Sequence, residues 1–269
     1  MRLLNISEIQ SMQLELMKKL HTFLEDNSIS YYLIAGSALG AVRHNGFIPW
    51  DDDIDVAMFR SDYEKFLSIA MTFCKDYHVV NYRNSKNCDF GLTRIYFPKT
   101  YIEDRSIENT CLDKRLYLDI FPLDNIPDSL KEQNRYEKKI RRIKNIISKI
   151  DVRNYDSGKY MLIAKRILSF LLRPIRQNLL KSFEKMMCKY ENIDTLSVCS
   201  LCSQYSFKKQ AMNKKIYGTP TLRRFEDGEF YFPEKLEKYL ITLYGDNYME
   251  IPPVEKRRKG HNIYLISEE

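Results

Sequence analysis

Apolar and polar positions follow two rhythms in the first half of the chain. Residues 7 to 26 place Ile9, Met12, Leu14, Leu16, Met17, Leu20, Phe23 and Leu24 at helical spacing, which predicts a first helix capped by Ser7. Ser30-Tyr-Tyr-Leu-Ile-Ala35 is a short β-prone run ended by Gly36-Ser37, and Ala38 to His44 fits a short helix. That order reads strand, tight turn, helix. After a loop over residues 45 to 52, Ile54, Val56 and Met58 alternate with Asp53, Asp55 and Ala57, the period of a strand with one buried face. Ser61-x-x-Glu64 has capping-box spacing and opens a helix through about Lys75. Further strands are expected over Tyr77 to Tyr82, Leu92 to Phe97 and Leu116 to Phe121, the last closed by Pro122.

From about Pro127 the pattern changes to long helical segments over 128–150 and 158–191, with Pro174 dividing the second. The segment from Phe207 mixes turns with a helix around Pro233 to Tyr244, then an irregular Ile251-Pro-Pro stretch. The expected fold is α/β, of α+β character: a small mixed sheet with a helical appendage. The expected division is a catalytic core over 1–126 and, over 127–269, a basic helical region and a C-terminal segment that completes the site.

Composition narrows the class. At 269 residues, 44% apolar, 29% charged and 13% aromatic, the chain is an ordered globular protein. The N-terminal residues lack an apolar h-region with a small-residue cleavage site, so a cytoplasmic location is expected. The most apolar stretch, Met161 to Ile175, is broken by Lys165, Arg166, Arg173 and Pro174 and is not a membrane span. The six cysteines have no disulfide-framework spacing, and Cys199-Ser-Leu-Cys202 is a lone CxxC that reads better as buried thiols than as a metal or redox site.

Charge adds a second feature. Lys131 to Lys189 holds 17 Lys and Arg against 5 Asp and Glu, while the whole chain carries +7. Such a stretch suits a membrane surface, a nucleic acid or a charged glycan, or is a solvated helix face. Met161, Leu162, Ile163, Ile167, Leu168, Phe170, Leu171 and Leu172 lie among Lys165, Arg166, Arg173 and Arg176, the pattern of an interfacial helix at the inner face of a membrane.

The chemistry concentrates around the acidic run Asp51-Asp52-Asp53-Ile54-Asp55. Carboxylates at i and i+2 of a strand share a face, so Asp53 and Asp55 present their oxygens together while Ile54 and Val56 enter the core. Mg²⁺ takes carboxylate and phosphate oxygens and keeps several waters, so few protein ligands suffice. Asp119, between Tyr117 and Phe121 on another apolar strand, is the third candidate ligand. Asp51 and Asp52 precede the strand and fit supporting or capping roles. Gly36 lets a phosphate approach the backbone, and Ser37 offers a hydroxyl and N–H groups. Arg43 and His44 are placed either to meet phosphate or to bind carbonyls at the helix end.

Ala35-Gly36-Ser37 followed by Asp53-Ile54-Asp55-Val56, with the spacer Ala38-Leu-Gly-Ala-Val-Arg-His-Asn-Gly-Phe-Ile-Pro-Trp-Asp-Asp, resembles the LicD family, a branch of the polymerase-β-like nucleotidyltransferase superfamily that includes fukutin-like proteins. Leu118-Asp-Ile-Phe-Pro-Leu123 resembles its next block. Phe225-Glu226, Phe232-Pro233, Leu236-x-x-Tyr239-Leu240, Tyr244-Gly245-Asp246, Pro252-Pro253 and His261 resemble its C-terminal part. The resemblance implies a nucleotidyltransferase-type sheet and transfer of a phospho-alcohol, phosphocholine from CDP-choline foremost, onto a sugar of a teichoic acid, lipopolysaccharide or capsule. It implies Mg²⁺ or Mn²⁺ on Asp53, Asp55 and Asp119, and donor positioning by Ser37. Trp50 is then a candidate cation–π wall for choline or a packing residue, and Lys256, Arg257 and His261 either close over phosphate or form a solvated tail. Ribitol-phosphate or glycerol-phosphate donors fit the same residues. The alternatives are a nucleotidyltransferase acting on RNA, protein or a small molecule, and a non-catalytic binding module; nucleic acid is the less expected partner.

Overall fold

The computed structural model describes residues 1–73, 75–86, 88, 91–103, 112–151, 159–257 and 260–266, with the side chains of residues 159–162 and 165 outside that description. The first apolar stripe folds as α1 (Ile6–Asp26), behind a two-residue strand β1 (Arg2–Leu3). Its cap is Asn5 rather than Ser7. Asn5 Oδ1 accepts the Glu8 N–H at 3.0 Å and Glu8 accepts the Asn5 N–H at 2.8 Å, satisfying donors that a helix start leaves orphaned.

The chain continues through β2 (Tyr32–Leu33), α2 (Ala35–His44), β3 (Asp55–Phe59), α3 (Arg60–Ile69), β4 (His78–Val80), β5 (Thr93–Tyr96), β6 (Thr100–Glu103) and β7 (Tyr117–Ile126). The basic region forms α4 (Leu130–Ile150), α5 (Lys159–Leu172) and α6 (Arg176–Met187), and Pro174 divides α5 from α6 within a 3₁₀ turn. The remainder is β8 (Ser197–Cys199), α7 (Phe207–Gln210), β9 (Met212–Asn213), α8 (Lys214–Tyr217), the hairpin β10 (Thr221–Phe225) and β11 (Gly228–Phe232), α9 (Leu236–Tyr244) and β12 (Asn262–Leu265).

Among the described residues the central sheet runs β2-β3-β7-β5-β4, with β8 on the far end of β7 and β9 beyond it. It is mixed, as expected: β3 and β7 are parallel and their neighbours antiparallel. A second sheet, β1-β12-β6, has no counterpart in the periodicity, because its strands are two to four residues long.

Three further expectations shift. Pro122 does not close its strand. The Asp119 N–H points to Ile54 O on β3, so even-numbered β7 residues face the other way. There β5 pairs only to Ile120 and β8 only from Asp124, so the imide nitrogen of Pro122 meets a gap in the ladder. Gly36-Ser37 is not the turn but the first turn of α2; the bend falls on Ala35, whose φ is +48°. The Ser61-Glu64 box is not formed either. α3 starts at Arg60 with Phe59 at the cap position and ends at Ile69, and Glu64 instead receives Arg60 and Arg83.

Two apolar cores meet at β7. The larger packs α1, α2, α9 and both faces of the sheet. The smaller joins Ile126 to Tyr136, Ile140 and Ile147 of α4, Leu180, Phe183 and Met187 of α6, and Cys199, Leu201, Cys202 and Phe207. Cys188, Cys199 and Cys202 are free thiols, Cys88 Sγ meets Ser85 O, and burial pushes the Cys199 and Cys202 thiols up, Cys202 to about 12. The CxxC is therefore core material; Cys74 and Cys111 lie outside the described residues.

Arg60 ties α3 to the end of β7: its Nε donates to Asp124 Oδ1 at 2.7 Å with both side chains buried. Replacing Arg60 with Leu strands the Asp124 charge in the core and is expected to cost about 3–5 kcal/mol by urea unfolding. The Arg60→Leu/Asp124→Leu double variant is expected to recover most of the loss; a double variant as unstable as the single one would assign the effect to packing.

Candidate functional site

The parallel pairing of β3 with β7 places Asp55 directly opposite Asp119. Ile54, Val56, Leu118 and Ile120 are fully buried, so Asp53, Asp55 and Asp119, all partly exposed, project from the opposite face of the same two segments. Gln13 of α1, buried on the strand side, staples the approach to this pair: its Nε2 donates to Asp52 O at 3.2 Å and to Tyr117 O at 2.9 Å.

These carboxylates line one cavity of about 890 Å³, together with Gly36, Arg43, Trp50, Asp51 and Arg94, a volume within the range of small-molecule sites. It is also lined by Glu137, Arg141, Lys144, Asn145 and Ser148 of α4, by the loop from Ser200 to Phe207, and by Tyr244, Asn247, Tyr248 and Glu250.

Each expected residue has a definite place. Gly36 lines the cavity, and a Cβ there would come within 2.6 Å of Asp51 Oδ2, so only glycine leaves room for that carboxylate. Ser37 is buried and its Oγ accepts the Asp55 N–H at 3.0 Å, which fixes the backbone of the strand. Arg43 donates to the carbonyls of Tyr248 and Glu250 at 3.2 and 3.1 Å and to His44 Nε2 at 3.0 Å. Burial, then the Arg43 charge, holds the His44 imidazole below its ordinary value, in keeping with a neutral ring that accepts this bond. The cation over the Trp50 ring is Arg257, 4.3 Å from its centroid, and His44 meets the ring edge-on. Lys256 is exposed and does not line the cavity.

His261 is brought to Asp52. Its N–H donates to Asp52 Oδ2 at 2.7 Å, and its Nδ1 lies 2.9 Å from the same oxygen. The carboxylates of Asp51, Asp52 and Asp53 come within 4.8 Å of one another. Asp52 is the buried member of this trio and holds His261, whereas Asp51 and Asp53 are partly exposed on the cavity wall. Carboxylate oxygens are the donors a hard divalent cation takes; among the described residues the carboxylates whose oxygens lie within 4.8 Å of one another are Asp51, Asp52 and Asp53, while Asp55 and Asp119 line the same cavity from β3 and β7.

Several residues of the site escaped the sequence reading. Arg94 stands opposite Asp119 in the ladder, its Nε donating to Asp119 Oδ1 at 2.8 Å and its guanidinium stacked 3.8 Å over Tyr117. Its only signal was a charge inside an apolar strand. The C-terminal segment braces the loops: Tyr239 Oη accepts the N–H of the strained Ala35 at 3.0 Å, and Glu226 accepts the Phe47 N–H at 2.9 Å. Gly46 allows this grip, since a Cβ there would fall 2.0 Å from Glu226 Oε1.

The model of the family described as LicD/FKTN/FKRP, nucleotidyltransferase domain, matches residues 28–146, which run from before β2 into α4. The chain is similar to the lipopolysaccharide cholinephosphotransferase LicD of Haemophilus influenzae, 28% identical over 264 residues that cover 97% of each protein. An uncharacterized protein of Rickettsia typhi is 44% identical over 69 residues, 25% of this chain and 22% of that one. The ribitol 5-phosphate transferase FKRP of Homo sapiens is 46% identical over 39 residues, 14% of this chain and 8% of that one.

Asp52→Ala removes the acceptor that clasps His261. It is expected to cost about 2 kcal/mol and to speed trypsin cleavage at Lys256 and Arg257 in a digestion time course. Digestion at the wild-type rate would show that the clasp holds nothing.

Proposed function

From its similarity to the LicD family, we propose that this chain is a phosphotransferase that moves a phospho-alcohol, phosphocholine from CDP-choline foremost, onto a sugar of a cell-surface glycan. The observation that carries this reading is that Asp53, Asp55 and Asp119 line the same large cavity as Gly36, with Asp55 and Asp119 paired across β3 and β7. The acceptor in this reading is a teichoic acid, lipopolysaccharide or capsular glycan, lipid-linked at the inner face of the membrane.

Asp53, Asp55 and Asp119 would hold Mg²⁺ or Mn²⁺. When bound, the ion would neutralise charge on the donor pyrophosphate and on departing CMP. The chain's own residues supply the positioning. Ser37 anchors the Asp55 amide, and Arg94 fixes one oxygen of Asp119. The first turn of α2, which carries Gly36, would offer backbone N–H groups to anionic oxygen. An acceptor hydroxyl in the cavity would attack phosphorus in line with the bond to CMP, which breaks as the new P–O bond forms. The hydroxyl proton would be taken up with the help of a second ion, or by Asp119 where it serves as base in place of metal ligand. Arg141, Asn145 and Ser148 of α4 offer the glycan its polar contacts.

Incubating the protein with Mg²⁺, a glycan acceptor and a panel of CDP-alcohols is expected to release CMP. Asp53→Ala and Asp55→Ala are each expected to lower the rate by at least about 10²-fold. Pyrophosphate release from a nucleoside triphosphate would make the enzyme a nucleotidyltransferase, and undiminished CMP release by both variants would overturn the site.

A further inference from the structure

Two surfaces of the helical region are unused by the site, and the helices that carry them are in contact. On α4, Lys131, Arg135, Lys138, Lys139, Arg142 and Lys149 are all exposed. At 100° per residue they fall on one stripe, running most of a helix about 30 Å long. Among the described residues none of the six has an ion-pair partner. The cavity residues Glu137, Arg141, Lys144, Asn145 and Ser148 lie along a neighbouring strip of the same helix.

α5 carries the apolar counterpart. Ile163, Ile167, Phe170 and Leu171, at i, i+4, i+7 and i+8, form a stripe exposed by 46%, 58%, 73% and 66%. The helix is tethered from its other side, where the buried Ser169 donates its hydroxyl to Ile150 O at the end of α4. Arg166 and Arg173, both exposed, flank the stripe. Lone exposed apolar residues are ordinary, but a continuous aliphatic and aromatic stripe edged by arginines is not.

We propose that α5, with the basic stripe of α4, is a docking surface for an anionic lipid bilayer. The apolar stripe inserts among acyl chains and the lysines and arginines meet anionic headgroups. Charge selects this occupant over a second copy of the chain, since two such copies would bring like-charged stripes together. The apolar stripe selects it over nucleic acid, which would use the basic stripe alone. The tether sets the geometry: Ile150, which holds α5, is two residues from Ser148 on the cavity wall, so docking brings that end of the cavity close to the lipid surface. The inference rests on the helix surfaces and is independent of the reaction.

The test is flotation of the full chain with vesicles of phosphatidylcholine alone or mixed with phosphatidylglycerol. Binding is expected to the mixed vesicles only and to weaken as salt rises. Phe170→Glu/Leu171→Glu is expected to lower the bound fraction at least about tenfold, and Lys138→Glu/Arg142→Glu to abolish the preference for phosphatidylglycerol. Circular dichroism identical to wild type keeps the variants interpretable. Three outcomes would overturn the proposal: no flotation at low salt, equal flotation of the Phe170/Leu171 variant, or a dimer in sedimentation that the same variant dissolves. Flotation with no CMP release would retain the docking surface and reject the reaction, so the two stand separately.

Discussion

Everything in the site depends on the register between β3 and β7. Side chains alternate along a strand, so a slip of one residue would turn Asp119 into the core and Leu118 or Ile120 into the cavity. Four fully buried aliphatic residues oppose that slip. Gln13 adds a polar lock, since one side-chain amide reaches the carbonyls of Asp52 and Tyr117 and holds the two segments at a fixed offset. The acidic residues are thus aligned by groups that touch no substrate.

The surrounding loops are held by the C-terminal segment. The bend into α2 falls on Ala35 in a left-handed conformation that costs a non-glycine residue about 1–2 kcal/mol, and the Tyr239 hydroxyl takes its N–H. Glu226 fixes the loop at Phe47, Arg43 fixes the loop at Tyr248 and Glu250, and His261 is fixed by Asp52. Charged and aromatic residues that look on paper like ligand contacts serve here to join segments far apart in sequence. Arg43 and Trp50 still border the cavity, but each is already engaged, one with carbonyls and the other with Arg257.

That distinction explains how much was legible beforehand. The mixed sheet, the helical appendage and the break at Pro174 follow from local periodicity and are present. The alternation that puts Asp53 and Asp55 on one face and Ile54 and Val56 on the other is also local. What sequence could not give is non-local. The helix cap is the exception, since Asn5-x-x-Glu8 is a local capping box that the placement of the cap at Ser7 overlooked. Ser61 loses its cap role because Arg60 is drawn to a buried Asp124 on another strand. Pro122 stays inside a strand because two partners happen to leave a gap. Arg94 and the polar face of α4 join the site only through tertiary pairing, and the charge of α4 masked the face that lines the cavity.

The placement of β12 has a consequence for assembly. It is the middle strand of its sheet, pairing Leu265 with Arg2 on one side and Ile263 with Ile102 on the other. Neither outer strand has a partner until this distant segment arrives, and closing so long a loop yields no hydrogen bond until it is complete. His261, one residue before this strand, reaches Asp52 at the same moment. The polypeptide can therefore form its central sheet early and hold the acidic loop through Gln13, while the Asp52 side chain gains its His261 partner only when the two extremities meet, so the carboxylate cluster should complete its contacts late in folding.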